Sequence, residues 1–169
     1  IVVSDHGMLA MKEEPATYIF LDEIMDIRKR QVKYSVGGTQ AHFYVNTEAQ
    51  RDSLYNVLKN KAKKFSIRTN EEFPLHWHYN SVRSGDLLIT ANPGYYIVEK
   101  DRSKFEASRK RGSTFGVHGY DPLVVPQMRG IFMAQDPNIK SGTKIPAFEN
   151  IHIYPLIAKI LNLPLPEVD

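Results

Sequence analysis

Residues 1–10 read IVVSDHGMLA. The opening apolar run, residues 1–3, leads into Ser4, and residues 1–4, too brief for a helix, read as a short buried strand. A carboxylate, an imidazole and a glycine follow at once as Asp5, His6 and Gly7. In a continuing strand Asp5 and His6 would face opposite sides of a sheet. Just past a strand end, a turn freed by Gly7 can swing both toward one point. A carboxylate oxygen and an imidazole nitrogen held together are good zinc ligands. The plain alternative is that Asp5 caps the next segment and His6 is a surface residue. The pair alone favours that alternative.

Outward from this stretch, strand and helix signals mix along the chain. Residues 18–21 are apolar and partly β-branched, a second strand, and DEIMDI from Asp22 suits one or two helical turns with acidic residues at its start. QVKYSVGGTQAHFYVN predicts two strands turning at Gly37-Gly38. The clearest helix starts at Thr47, which with Gln50 has the spacing of a capping box. Leu54, Leu58 and Ala62 follow at four-residue steps, and Lys59, Lys63 and Lys64 load the far face and the C-terminal end. FSIRT, DLLITA, YYIVEK and RGIFMAQ are further strands, with a turn at Asn92-Pro93-Gly94. DRSKFEASRKRGSTFG has no clean period and reads as a surface loop or insertion. FENIHIYPLIAKILNL is a second helix with Pro155 in its first turn, and LPLPEVD is a tail. The mixture predicts an α/β fold, with helices covering a sheet and ligands gathering at strand ends.

The chain has 169 residues, the size of one ordinary domain, with 42% hydrophobic and 24% charged residues. A net charge of +3 is too mild to argue for nucleic acid, and no apolar run reaches the length of a membrane span. Cysteine is absent, which excludes disulfides and thiolate chemistry and leaves Asp, Glu and His as the strong metal ligands. The first residue is Ile rather than Met, so an upstream segment is expected.

Other residues could carry chemistry. His118 stands in FGVHGYDP between Gly116 and Gly119, where a flexible backbone lets an imidazole reach inward; an incidental loop histidine is the alternative. His76 and His78 in PLHWHYN would share a strand face, with a half-buried strand beside Trp77 and Tyr79 as the blander option. Lys100, Arg102, Lys104, Arg109, Lys110 and Arg111 could draw anions or simply form a solvated loop. Arg129 could meet a phosphate or pair with a carboxylate. Tyr95, Tyr96 and Phe115 could stack on a ring, with packing the commoner role, and His152 reads as structural. P-loop, Rossmann and nucleophile-elbow motifs are absent.

The order of the blocks says more than any one of them. VVSDHGM, EEFPLHWHYN, GDLLITANPGYYI, GVHGYDP, MRGIFMAQDPNIK and IPAFENIHIYPLIAKILNLP follow one another in the chain. This series closely resembles the C-terminal half of the type I phosphodiesterases/nucleotide pyrophosphatases, in the alkaline phosphatase superfamily. The resemblance implies part of an alkaline phosphatase-like α/β sandwich. It also implies a two-zinc site and hydrolysis of phosphodiester or pyrophosphate bonds through a covalent intermediate on Thr or Ser. Asp5 and His6 match the pair that binds the zinc next to the nucleophile, and His118 matches the ligand of the other zinc. Pro122 departs from the family, where Asn is common after Tyr-Asp.

The resemblance also places the nucleophile and remaining ligands upstream of the Ser-Asp-His block. Residues 1–169 are therefore expected to be the C-terminal portion of one catalytic domain. Three ligands split over two ions fall below the three per ion usual for catalytic zinc, so the chain alone is expected to bind zinc poorly and to be inactive. A phosphomonoesterase or phosphonate hydrolase of the same superfamily, or a non-catalytic stable subdomain, are the alternatives. The implied partner is a nucleotide or other small phosphodiester. Specific nucleic-acid binding is not expected, and the resemblance points to a secreted, periplasmic or membrane-anchored location. A halved sheet would expose strand 1–4, so pairing with a second copy through that edge is expected.

Overall fold

A computed structural model describes residues 1–26, 29, 31–99, 101–109 and 111–165. Lys100, Lys110 and residues 166–169 of the expected tail lie outside the described residues, as does Ile27 of the stretch DEIMDI. The strands are β1 (Val2–Val3), β2 (Leu9–Lys12), β3 (Tyr18–Phe20), β4 (Lys33–Val36), β5 (Gln40–Tyr44), β6 (Phe65–Thr69), β7 (Leu87–Ala91), β8 (Tyr96–Val98), β9 (Thr114–Val117) and β10 (Phe132–Met133). The helices with described bounds are α1 (Leu21–Ile24), α2 (Glu48–Asn60), α3 (Arg102–Ala107) and α4 (Ile153–Ile160). Among the described residues no helix is long and apolar enough to cross a membrane. The fold is α/β, in two units: Met8–Met128, and Ile1–Gly7 with Arg129–Asp169.

The larger unit is built on a four-stranded antiparallel sheet in the order β4-β5-β7-β6. The period-two pattern of its strands sorts the side chains. Ala41, Phe43, Phe65, Leu87 and Ile89 lie in one buried cluster with Leu54 and Leu58 of α2, both of which are fully buried. The intervening residues Gln40, Ser66, Arg68 and Thr90 belong to the opposite face, where Gln40 and Ser66 both stand in register with Thr90. Helix α2 begins as expected: the Thr47 hydroxyl accepts from the Gln50 N–H at 3.2 Å. The return bond differs, since Gln50 Oε1 accepts from the Asn46 N–H at 2.9 Å rather than from Thr47 itself. The β4–β5 turn needs glycine at Gly38: its φ is +79°, and a Cβ there would strike the Tyr96 ring.

Two short ribbons complete this unit, β2 with β9 antiparallel and β3 with β8 parallel. The segment expected to be a loop is instead helix α3 followed by β9. Asp101 caps the helix by accepting from the Lys104 N–H at 3.2 Å. Phe105 is buried against Tyr18 and Phe20, with ring centroids 4.7 and 5.7 Å away. A helix this short carries too few apolar residues to show its period.

The described arginines of the basic stretch are held in the fold rather than aimed at a ligand. Arg102 forks onto both oxygens of Glu23 at 2.6 and 2.8 Å and lies 4.2 Å over the Phe20 ring. That hydrogen-bonded pair holds the Glu23 carboxyl below its ordinary value. Arg109 meets Glu13 at 3.6 Å and covers the Phe105 ring, while Arg111 stands 3.9 Å from Glu106. Tyr96 and Phe115 pack edge to face with a centroid separation of 6.1 Å, as the packing alternative expects.

In the smaller unit β1 pairs antiparallel with β10. The Ser4 N–H donates to Ile131 O at 3.1 Å, and the Ile131 N–H returns to the Ser4 hydroxyl at 2.8 Å. The expected strand is present but not buried, since Val2 is 56% and Val3 43% exposed. A two-residue ladder to one neighbour covers little apolar surface. Helix α4 carries Pro155 in its first turn as expected, but only Ala158 of the helix is buried and Ile160 is exposed.

Leu54→Ala is expected to lower unfolding stability by about 3 kcal/mol, and Thr47→Ala by about 1 kcal/mol. Urea titrations followed by far-ultraviolet circular dichroism check both values; equal effects would contradict the assignment of Leu54 to the core.

Candidate functional site

The His-Gly-Tyr-Asp block is a loop fastened at consecutive points. Strand β9 ends at buried Val117, and His118 follows with its side chain exposed and its carbonyl accepting from the Thr39 hydroxyl at 3.2 Å. Gly119 has a φ of +98°, and a Cβ there would collide with the hydroxyl of buried Thr39. Tyr120 turns into the core and donates its hydroxyl to the Tyr95 carbonyl at 2.5 Å. Burial pushes its phenol up to about 12.

Asp121 closes the block. Its Oδ2 accepts from Trp77 Nε1 at 2.8 Å and from His76 Nε2 at 3.0 Å, and its Oδ1 accepts from the Leu123 N–H at 2.8 Å. Burial pushes the carboxyl up, but the three donors outweigh it and hold Asp121 below the usual carboxylate range. His76 and Trp77 belong to a 3-10 turn, Leu75–Trp77, that ends in the left-handed His78 (φ +47°). The expected strand with a shared His-x-His face is therefore corrected. Pro74 leads into the tight turn, and His76 is drawn to Asp121 instead of toward His78.

A cavity of about 480 Å³ opens beside this fastening. Its wall includes His76, Trp77, Tyr79 and Asp121, and its floor is the polar face of the sheet, including Arg68 and Thr90. His118 is not among its lining residues. The sequence marks His76, Trp77 and Tyr79 but not their convergence with Arg68, Thr90 and Asp121. The signals are nonetheless present: the alternation in FSIRT sets Ser66 and Arg68 apart from Phe65 and Ile67, and Trp77 is the chain's single tryptophan.

In the smaller unit, Asp5 and His6 sit in the segment after β1. Asp5 Oδ1 accepts from the His6 N–H at 2.9 Å, a local turn that brings the neighbouring side chains together. His6 Nδ1–H donates to the Gly7 carbonyl at 2.7 Å. A carbonyl can only accept, so neutral His6 carries its ring lone pair on Nε2. That atom lies 3.5 Å from Asp5 Oδ2. Two ligands of one tetrahedral zinc stand about 3.3 Å apart when each bond is near 2.0–2.1 Å. A backbone carbonyl fixing the far ring nitrogen is also the usual support of a metal-binding histidine. The pair thus fits two corners of a zinc site. Among the described residues, no group of three or more His, Cys, Asp or Glu is gathered closely enough to hold a metal ion.

The family model described as type I phosphodiesterase / nucleotide pyrophosphatase matches residues 1–121. Ectonucleotide pyrophosphatase/phosphodiesterase family member 7 of Rattus norvegicus is 26% identical over 165 residues, covering 96% of this chain and 36% of the relative. The chain thus spans about a third of the length of that curated relative. Among solved structures, human ectonucleotide pyrophosphatase/phosphodiesterase 5 superposes with a TM-score of 0.77 at 24% identity, covering 99% of this chain and 41% of that one. This likeness shows a partial alkaline phosphatase-like fold. An inactive variant of the murine counterpart, solved in complex with AMP, matches with a TM-score of 0.75 at 26% identity, covering 98% of this chain and 41% of that one.

Because the Asp121 carboxyl is held below its ordinary value, its contribution to stability is full above the unfolded carboxyl pKa of about 4 and is lost as pH falls through the lower folded value. At neutral pH, Asp121→Asn is expected to cost about 2 kcal/mol of unfolding stability. The gap between wild type and variant should narrow as pH drops below about 4. Urea midpoints measured across pH check this, and a gap that does not change with pH would refute it.

Proposed function

Because the chain belongs to the type I phosphodiesterase/nucleotide pyrophosphatase family, we propose that it supplies part of a two-zinc site to an enzyme that hydrolyses phosphodiester or pyrophosphate bonds in nucleotide-type substrates. The observation that carries this reading is the Asp5–His6 pair: two donor atoms 3.5 Å apart, with the far ring nitrogen already committed to a carbonyl. The murine relative in complex with AMP supports a nucleotide as the substrate class.

In this reading Asp5 and His6 hold one zinc and His118 contributes to the other. Bound zinc supplies Lewis acidity that polarises phosphoryl oxygens and stabilises the charge of an in-line displacement. The chain's own part is to bind and orient. The Gly7 carbonyl fixes the His6 tautomer, the Thr39 hydroxyl holds the backbone at His118, and Tyr120 anchors the loop that follows. Residues 1–169 act as the C-terminal portion of one catalytic domain, and the nucleophile and remaining ligands come from an upstream portion. The chain alone then binds zinc weakly and does not turn over substrate. An extracytoplasmic location belongs to the same reading.

The test is a longer chain that includes the upstream portion. There His118→Ala is expected to reduce bound zinc, measured by atomic emission, and to lower diesterase kcat/KM at least about a hundredfold. Unchanged zinc and rate would reject the assignment. A nucleotide diester should be cleaved faster than a matched monoester, and the reverse order would favour a phosphomonoesterase. For the chain by itself, the exposed Val2–Val3 strand is proposed to pair with a second copy. Sedimentation velocity should then show a concentration-dependent rise, and a constant monomer value rejects the pairing.

A further inference from the structure

The cavity on the polar face of the four-stranded sheet has the chemistry of a binding site, and it does not include His118. Its floor is a row of polar side chains crossing three strands, Gln40 on β5, Thr90 on β7 and Ser66 on β6. Two residues beyond Ser66 on the same face stands Arg68, half-buried. Its Nη1 donates to the Thr90 hydroxyl at 3.2 Å, and its guanidinium carbon lies 5.3 Å from the Trp77 ring centroid. Among the described residues no carboxylate comes within ion-pair distance of Arg68. The carboxylate in the wall, Asp121, already accepts three hydrogen bonds and faces two of its own donors, Trp77 and His76. The cavity therefore presents a cation and neutral donors on its floor, and on its wall indole, phenol and imidazole rings with the Asp121 carboxylate satisfied by three donors.

We propose that this cavity binds a small organic anion whose carboxylate or phosphate group is carried on a flat ring. The anionic group meets the Arg68 guanidinium and the Thr90 and Ser66 hydroxyls, and the ring lies against Trp77 and Tyr79. A guanidinium on an indole face is weakly hydrated, so little is lost when an anion displaces its water. A volume of about 480 Å³ lies within the usual range for small-molecule sites. All lining residues lie within Met8–Met128, and no zinc ligand is required, so this site stands or falls apart from the hydrolase reading.

Trp77 is the only tryptophan and lines the cavity, so its emission reports occupancy directly. The intact chain is titrated in the presence of a chelator with phenylphosphonate, benzoate and inorganic phosphate. Saturable changes in emission are expected with one or both ring-borne anions, and which of them binds more tightly identifies the anionic group. Arg68→Ala should weaken binding about tenfold or more, and Arg68→Lys should weaken it less. Raising the salt concentration should weaken binding to the wild-type chain. No saturable change with either ring-borne probe into the millimolar range overturns the proposal. So does unaltered affinity in Arg68→Ala. Inorganic phosphate binding as tightly as phenylphosphonate would overturn the role of the ring. If Arg68→Ala fails to fold, salt-independent binding to the wild-type chain overturns the role of the charge.

Discussion

Leu54 and Leu58 share one buried cluster with Phe43, Leu87 and Ile89 and cover one face of the four-stranded sheet. Much of the larger unit follows from that closure. Once the odd residues of β6 face a sealed apolar layer, Ser66 and Arg68 must turn the other way. Thr90 does the same on β7, and Gln40 on β5. A slip of one residue in β6 would drive a guanidinium into a dry core and strand Phe65 and Ile67 outside it. The register is therefore held by the large penalty of burying an unpaired charge as well as by hydrophobic gain. The polar floor beneath the cavity is the reverse side of the core.

The His-Gly-Tyr-Asp block shows how a short motif can serve position more than chemistry. Tyr120 sinks its ring among buried residues and donates to a main-chain carbonyl, and Asp121 gathers an indole, an imidazole and a backbone N–H. Between these anchors and β9 the backbone at Gly119 takes a φ of +98°, and a side chain there would strike Thr39. His118 is thus placed by its neighbours on both sides. Gly119, Tyr120 and Asp121 of the block, together with the His118 carbonyl, all take part in fixing its backbone.

Legibility from sequence followed the range of the forces involved. Helix α2 could be read because its cap and apolar period are local, and the β4–β5 hairpin because glycine punctuates two alternating strands. The pairing at Asp5–His6 was legible as two neighbours at a strand end. Helix α3 was not, because its one buried anchor, Phe105, gains its meaning from Tyr18 and Phe20 some eighty residues earlier. The arginines of that segment looked free because Glu13 and Glu23 are equally remote. The His76–Trp77–Asp121 cluster was invisible for the same reason: its members are about 45 residues apart. The exposure of the first strand is not legible because composition reports what a segment could bury and says nothing of what lies over it.

The ladder between Ser4 and Ile131 joins residues 127 positions apart. On the ribosome, residues 1–7 leave the exit tunnel long before Arg129 has been joined to the chain. Throughout translation of residues 8–128 this β-branched segment has no partner from its own unit. Closing so long a loop costs more entropy than closing the β4–β5 hairpin, as it does for the β2–β9 ribbon, which joins Leu9 to Val117. Until β10 has been made, the β1 edge lacks the partner it has in the folded unit, and such an unpaired edge is open to pairing with other chains.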